Sequence, residues 1–148
     1  MTDLLNILED FYHISNVKEL LIAFVIALPI GWNREVETRS MGLRTFPLVA
    51  VASCSYMLLG INIMGDTNPD AIARLLTGLM TGIGFIGGGA ILKDGGNVHG
   101  TATAASIWST GAAGAAVAFQ RYEIAITLSV ISFMILALAK PVKKSIDN

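Results

Sequence analysis

Few residues in this chain could do chemistry, and they gather in two short polar segments between apolar runs. Asn33, Arg34, Glu35, Glu37, Arg39 and Arg44 follow the first apolar run, while Lys93, Asp94, Asn97 and His99 separate two later ones. Glu35 and Asp94 beside Arg34 and Arg44 suit a functional charged cluster at a membrane boundary, because an unpaired charge deeper in lipid costs about 3 kcal/mol or more. Magnesium keeps its waters unless carboxylates hold it, and these carboxylates stand at the membrane boundary rather than along a route through it, which suits a regulatory cluster. His99 has no second imidazole nearby, and zinc sites take three or four ligands, so Lys93, Asn97 and His99 read as a polar hinge. His13 stands alone and reads as a solvated side chain.

The absent motifs narrow the function further. There is no Ser-His-Asp set in plausible proximity, no H-E-x-x-H and no P-loop, so an intrinsic enzyme activity is not expected. Gly82-Ile83-Gly84-Phe85-Ile86-Gly87 matches the dinucleotide fingerprint in letters only. That fingerprint must follow a strand and be followed about 20 residues on by an acid, whereas Ile107 stands there and helix-compatible apolar sequence precedes it. Gly78, Gly82, Gly84, Gly87, Gly88 and Gly89, with Gly100 and Gly111 in the next run, therefore read as helix packing. Each glycine costs about 1 kcal/mol of helix propensity, a cost that small-residue contacts between helices in lipid offset. A second reading stays open for Gly87 to Gly89: a helix break offering carbonyls to an ion, as in transporters with discontinuous helices. Against it, no span carries an acid near its middle.

The elements that must position these residues are membrane helices. Of the 148 residues, 53% are hydrophobic and 14% charged, against roughly 25% charged in soluble domains. Mean hydropathy is +0.64. A net charge of -1 supplies no basic surplus for nucleic acid. The lone Cys54, inside an apolar run, excludes an intramolecular disulfide and reads as a small buried side chain. Residues 1 to 15 space Leu4, Leu5, Leu8, Phe11 and Tyr12 as an amphipathic helix, and their acids argue against a cleaved signal peptide. Five spans follow: about Val17 to Trp32, Leu43 to Met64, Ala71 or Leu75 to Leu92, Thr101 to Phe119, and Tyr122 to Ala139. The first is short for the bilayer, so Lys18 and Glu19 are expected to snorkel to the interface.

These spans place Arg34, Arg39, Arg44, Lys93, Lys140, Lys143 and Lys144 on one side, and only Lys18, Arg74 and Arg121 on the other. The first side is expected to be cytoplasmic, which puts the N-terminus outside and the C-terminus inside. The fold expected is thus one all-α domain, a polytopic bundle of about five transmembrane helices preceded by a short amphipathic helix. Its partners are the lipid bilayer and, because one unit cannot use every glycine face, a homodimer or small oligomer.

Ile30-Gly31-Trp32-Asn33-Arg34-Glu35, Gly42-Leu43-Arg44-Thr45, Gly82 to Gly89, Lys93 to Gly100 and Thr103 to Trp108 resemble, in order, the signature of the MgtC/SapB family of bacterial inner-membrane proteins. The resemblance covers about Lys18 to Lys140. Many relatives carry a soluble C-terminal domain, and this chain resembles the membrane domain alone. It departs from the family's pattern at Asn33, commonly an acid, at Phe46, commonly a histidine, and at Thr101 and Ala102. The resemblance implies adaptation to low magnesium, intracellular survival in pathogens, and action through other membrane proteins, with the F-type ATP synthase a proposed target. It implies no cofactor beyond a possible association with Mg2+. The alternative is a magnesium or other cation transporter or channel.

Overall fold

The computed structural model describes residues 2–38, 41–64, 68–94 and 97–146; of residues 2–15, 38, 64, 94 and 139–146 it describes the backbone alone. The elements run α1 (Thr2–Thr38), α2 (Thr45–Met64), α3 (Pro69–Gly89), β1 (Leu92–Asp94), β2 (Asn97–His99), α4 (Thr101–Ala118) and α5 (Tyr122–Ile146). The chain is an all-α membrane protein with one small β-ribbon inserted between α3 and α4.

Local sequence accounts for most boundaries. Neither glycine nor proline interrupts residues 2 to 28, so the amphipathic segment and the first span form one continuous helix, which also runs unbroken through Pro29. The amphipathic face itself lies outside the described side chains. Asn68 caps α3 by accepting the Ala71 N–H at 3.1 Å, with Pro69 in the first turn where its missing N–H is harmless. α3 continues through Gly89, so the triple glycine does not break the helix.

Three segments are long and apolar enough to cross a bilayer: Asn16–Glu37, Thr45–Ile63 and Pro69–Gly89. Tyr122–Leu138 is a shorter apolar stretch of the same kind. α4 differs in kind, being mostly alanine, glycine, serine and threonine, and it touches all the other helices. A helix enclosed by protein has little need of bulky apolar side chains; it needs close approach. A Cβ at Gly114 would collide with the Ala50 backbone of α2, and one at Gly111 with the Ile83 side chain of α3.

Hydroxyls inside the spans mostly satisfy themselves. Ser53, Thr77, Thr81 and Thr110 each donate to the carbonyl four residues back at 2.7–2.8 Å, a bond that lets a polar side chain sit in an apolar helix. Two others stitch helices together. Ser109 and Ser132 share a 2.7 Å bond between α4 and α5, and Ser129 of α5 donates to the Ile26 carbonyl of α1 at 2.7 Å. Outside, Leu21, Leu48, Ile63, Phe85, Ile135 and Leu138 are exposed, the apolar exterior that a bilayer solvates.

The seam expected along α3 is only partly present within one chain. α3 lies at the rim and buries only Ile83 and Gly87 among its residues. Gly87 does pack, with its Cβ position 3.2 Å from the Ala104 carbonyl oxygen, but a Cβ at Gly78, Gly82, Gly84, Gly88 or Gly89 would meet nothing within 4 Å among the described residues. Gly114, which the spacing of small residues did not single out, makes the tight approach instead.

Candidate functional site

One end of the bundle rests on a buried cluster contributed by every helix: Ile30, Phe46, Val49, Ile83, Ile107 and Leu136, joined by Ala90 at the foot of the ribbon. Phe46 is fully buried there and serves packing. A turn beyond Ile30 the chain becomes polar. Asn33 and Arg34 are each 7% exposed, and Arg34 Nη2 donates to Asn33 Oδ1 at 2.9 Å. A guanidinium does not lose its proton, so a positive charge is carried into the end of the bundle, where its hydrogen bonds offset part of the desolvation cost.

Glu35 builds the corner between α1 and α2. Its Oε2 accepts the Leu43 N–H at 2.9 Å. The Gly42 carbonyl then accepts from Thr45 and Phe46 at 3.0 and 3.1 Å, which opens α2. A Cβ at Gly42 would run into Glu35 itself, so the glycine is required by the closeness of this contact. Glu35 is therefore engaged with a backbone donor at this corner. Arg44, on the same corner, is exposed.

The second polar segment is a two-stranded antiparallel ribbon with Leu92 opposite His99, Lys93 opposite Val98, and Asp94 opposite Asn97. Alternation places Lys93 and Val98 on one face and Leu92 and His99 on the opposite face. Leu92, Lys93, Asn97, Val98 and His99 are all exposed. The ribbon is folded tightly onto the end of α3. Gly100 has a φ of +85°, a backbone conformation open to glycine, and a Cβ there would strike the Ala90 carbonyl oxygen.

The structure thus gathers Arg34, Glu35 and Arg44 on one corner and Lys93, Asn97 and His99 on a ribbon at the same end. Glu35, Arg44, Lys93, Asn97 and His99 form no side-chain bond with one another. The side chain of Asp94, and all of Arg39, lie outside the described residues. Among the described residues, no three His, Cys, Asp or Glu side chains gather as a metal site. Chemically, the end offers a rigid corner with exposed cations on Arg44 and Lys93, suited to carboxylate or phosphate groups of a partner.

Sequence reasoning missed a second polar feature. Glu19, expected to snorkel, is 2% exposed and accepts a 2.6 Å hydrogen bond from Tyr122. The one available signal was an acid bordering an uncharged run; its partner lies 103 residues away.

Comparison with known proteins places this geometry in context. A family profile described as the MgtC family matches residues 20–145. Protein MgtC of Brucella abortus (strain 2308) is 33% identical over 125 residues, covering 84% of this chain and 51% of that protein. Protein MgtC of Salmonella typhimurium (strain LT2) is 32% identical over 115 residues, covering 78% of this chain and 48% of that protein. The chain therefore spans about half the length of the curated relatives it matches. No solved structure matches it.

Proposed function

The chain belongs to the MgtC family, and from that premise we propose that it is a non-enzymatic regulator of other membrane proteins, serving adaptation to low magnesium and, in a pathogen, survival inside host cells. The observation that carries this reading is the segregation of polar groups. Arg34, Glu35, Arg44 and the ribbon carrying Lys93, Asp94, Asn97 and His99 occupy one end of the bundle, while the middles of the spans keep their hydroxyls bonded to helix carbonyls or to one another. Such an end is a surface to be touched by a partner. Ion passage would instead favour oxygen ligands lining a route.

In this reading the polar end faces the cytoplasm of the bacterial inner membrane, as the lysine and arginine distribution favours. The partner is a membrane protein with acidic groups at the same depth, and the F-type ATP synthase is the proposed candidate. A second copy of the chain is proposed against the open glycine face of α3, where a nanodisc mass of two chains is expected and a strict monomer argues against it.

The experiment is growth of a strain lacking the protein, complemented in low magnesium with Arg44→Ala plus Lys93→Ala, or with Asp94→Ala. Loss of growth at unchanged membrane abundance is expected. Full growth from both variants would defeat the proposal.

A further inference from the structure

At the opposite end of the bundle lies a buried acid that the proposed function does not use. Glu19 stands in the first turn of the apolar segment Asn16–Glu37 and is 2% exposed. Its Oε1 accepts the hydroxyl of Tyr122 at 2.6 Å, and its Oε2 has no hydrogen-bond partner. Two helical turns further on, the bond from Ser129 to the Ile26 carbonyl repeats the same 103-residue offset. α1 and α5 therefore lie side by side and parallel, and the acid is held by a double contact between them.

Among the described residues, no cation pairs with this carboxyl. On α1, Lys18 places its Nζ 5.6 Å from the centroid of the Tyr122 ring. On α2 the titratable group facing Glu19 is Cys54, which is fully buried. On α5 there are Tyr122, half-buried, and its exposed neighbours Arg121 and Glu123. α4 carries no titratable side chain. A buried carboxylate is costly unless it is paired and fully hydrogen-bonded, and a single neutral donor satisfies only one of its oxygens. A metal ion would find too few ligands, since no three His, Cys, Asp or Glu side chains gather among the described residues. A proton needs one oxygen.

We propose that Glu19 is a proton-binding site, taking up H+ on Oε2 from the compartment at this end while Tyr122 holds Oε1. The step forms one O–H bond on Oε2 and turns one hydronium ion into water, with no change of oxidation state. Tyr122, half-buried beside exposed Arg121, borders the path by which the proton reaches the acid. Because the site joins α1 to α5, its occupancy removes a buried charge from the contact between the first and last helices.

The test is an infrared difference spectrum of the full chain in nanodiscs between acid and alkaline buffer. A buried carboxyl absorbs at higher frequency than water-exposed ones, so its band stands apart. The wild type is expected to show this band, and Glu19→Gln to lose it. Tyr122→Phe keeps the acid but removes the donor to Oε1, which is expected to move the band to higher frequency; this variant also decides the matter if Glu19→Gln fails to fold. Absence of the band from the wild type, its persistence in Glu19→Gln, or an unmoved band in Tyr122→Phe would overturn the proposal.

Discussion

A methyl group added at Gly114 meets the backbone of Ala50, which cannot swing aside as a side chain would. Gly114→Ala is therefore expected to destabilise the bundle by about 1–3 kcal/mol, the usual range for overpacking, seen as a lower unfolding temperature in mild detergent. Gly82→Ala gives the contrast. Nothing of another element lies within 4 Å of its Cβ position, so in a single chain it is expected to be neutral or to gain up to about 1 kcal/mol of helix propensity. Equal losses from both variants would mean that the helices approach elsewhere. The contrast also marks what single residues reveal in the sequence. Small residues at regular spacing show that close approach is needed, but not which small face finds a neighbour. Gly114 sits among alanines that look equally suitable, and the glycines of α3 are more numerous yet mostly open. Glu19 escaped for a related reason: its burial is created by Tyr122, and nothing local to residue 19 points there.

Helices and their ends were more legible than contacts, because periodicity and caps are local. The start of α3 follows from Asn68 and Pro69, and the polar break after the first span follows from Asn33 to Glu37. In sequence the ribbon looks like a plain hinge, since strands of three residues are too short to show an alternating pattern. Nor did the charges of Glu35 announce its role, which is to hold the Leu43 N–H at the entrance to α2. Losing one such hydrogen bond typically costs about 1 kcal/mol. Glu35→Ala is expected to lower stability by about that amount, and Glu35→Gln, whose amide oxygen still accepts, by less. Amide exchange at Leu43 checks it: faster exchange in Glu35→Ala is expected, and unchanged exchange would remove the corner role.

At the scale of the whole molecule, α4 is the axis on which the other helices pack, and its small side chains explain why it is less apolar than the rim helices that face lipid. Among the described residues, the polar corner and ribbon lie at one end of the bundle and the buried acid Glu19 at the other, with the hydroxyls between them bonded to helix carbonyls or to one another. That separation is what favours a contact surface over a conducting path, and it makes transport the discriminating measurement. Purified protein reconstituted in liposomes is expected to pass magnesium no faster than empty vesicles. Flux above the empty-vesicle rate that disappears in Asp94→Ala would contradict the regulatory account.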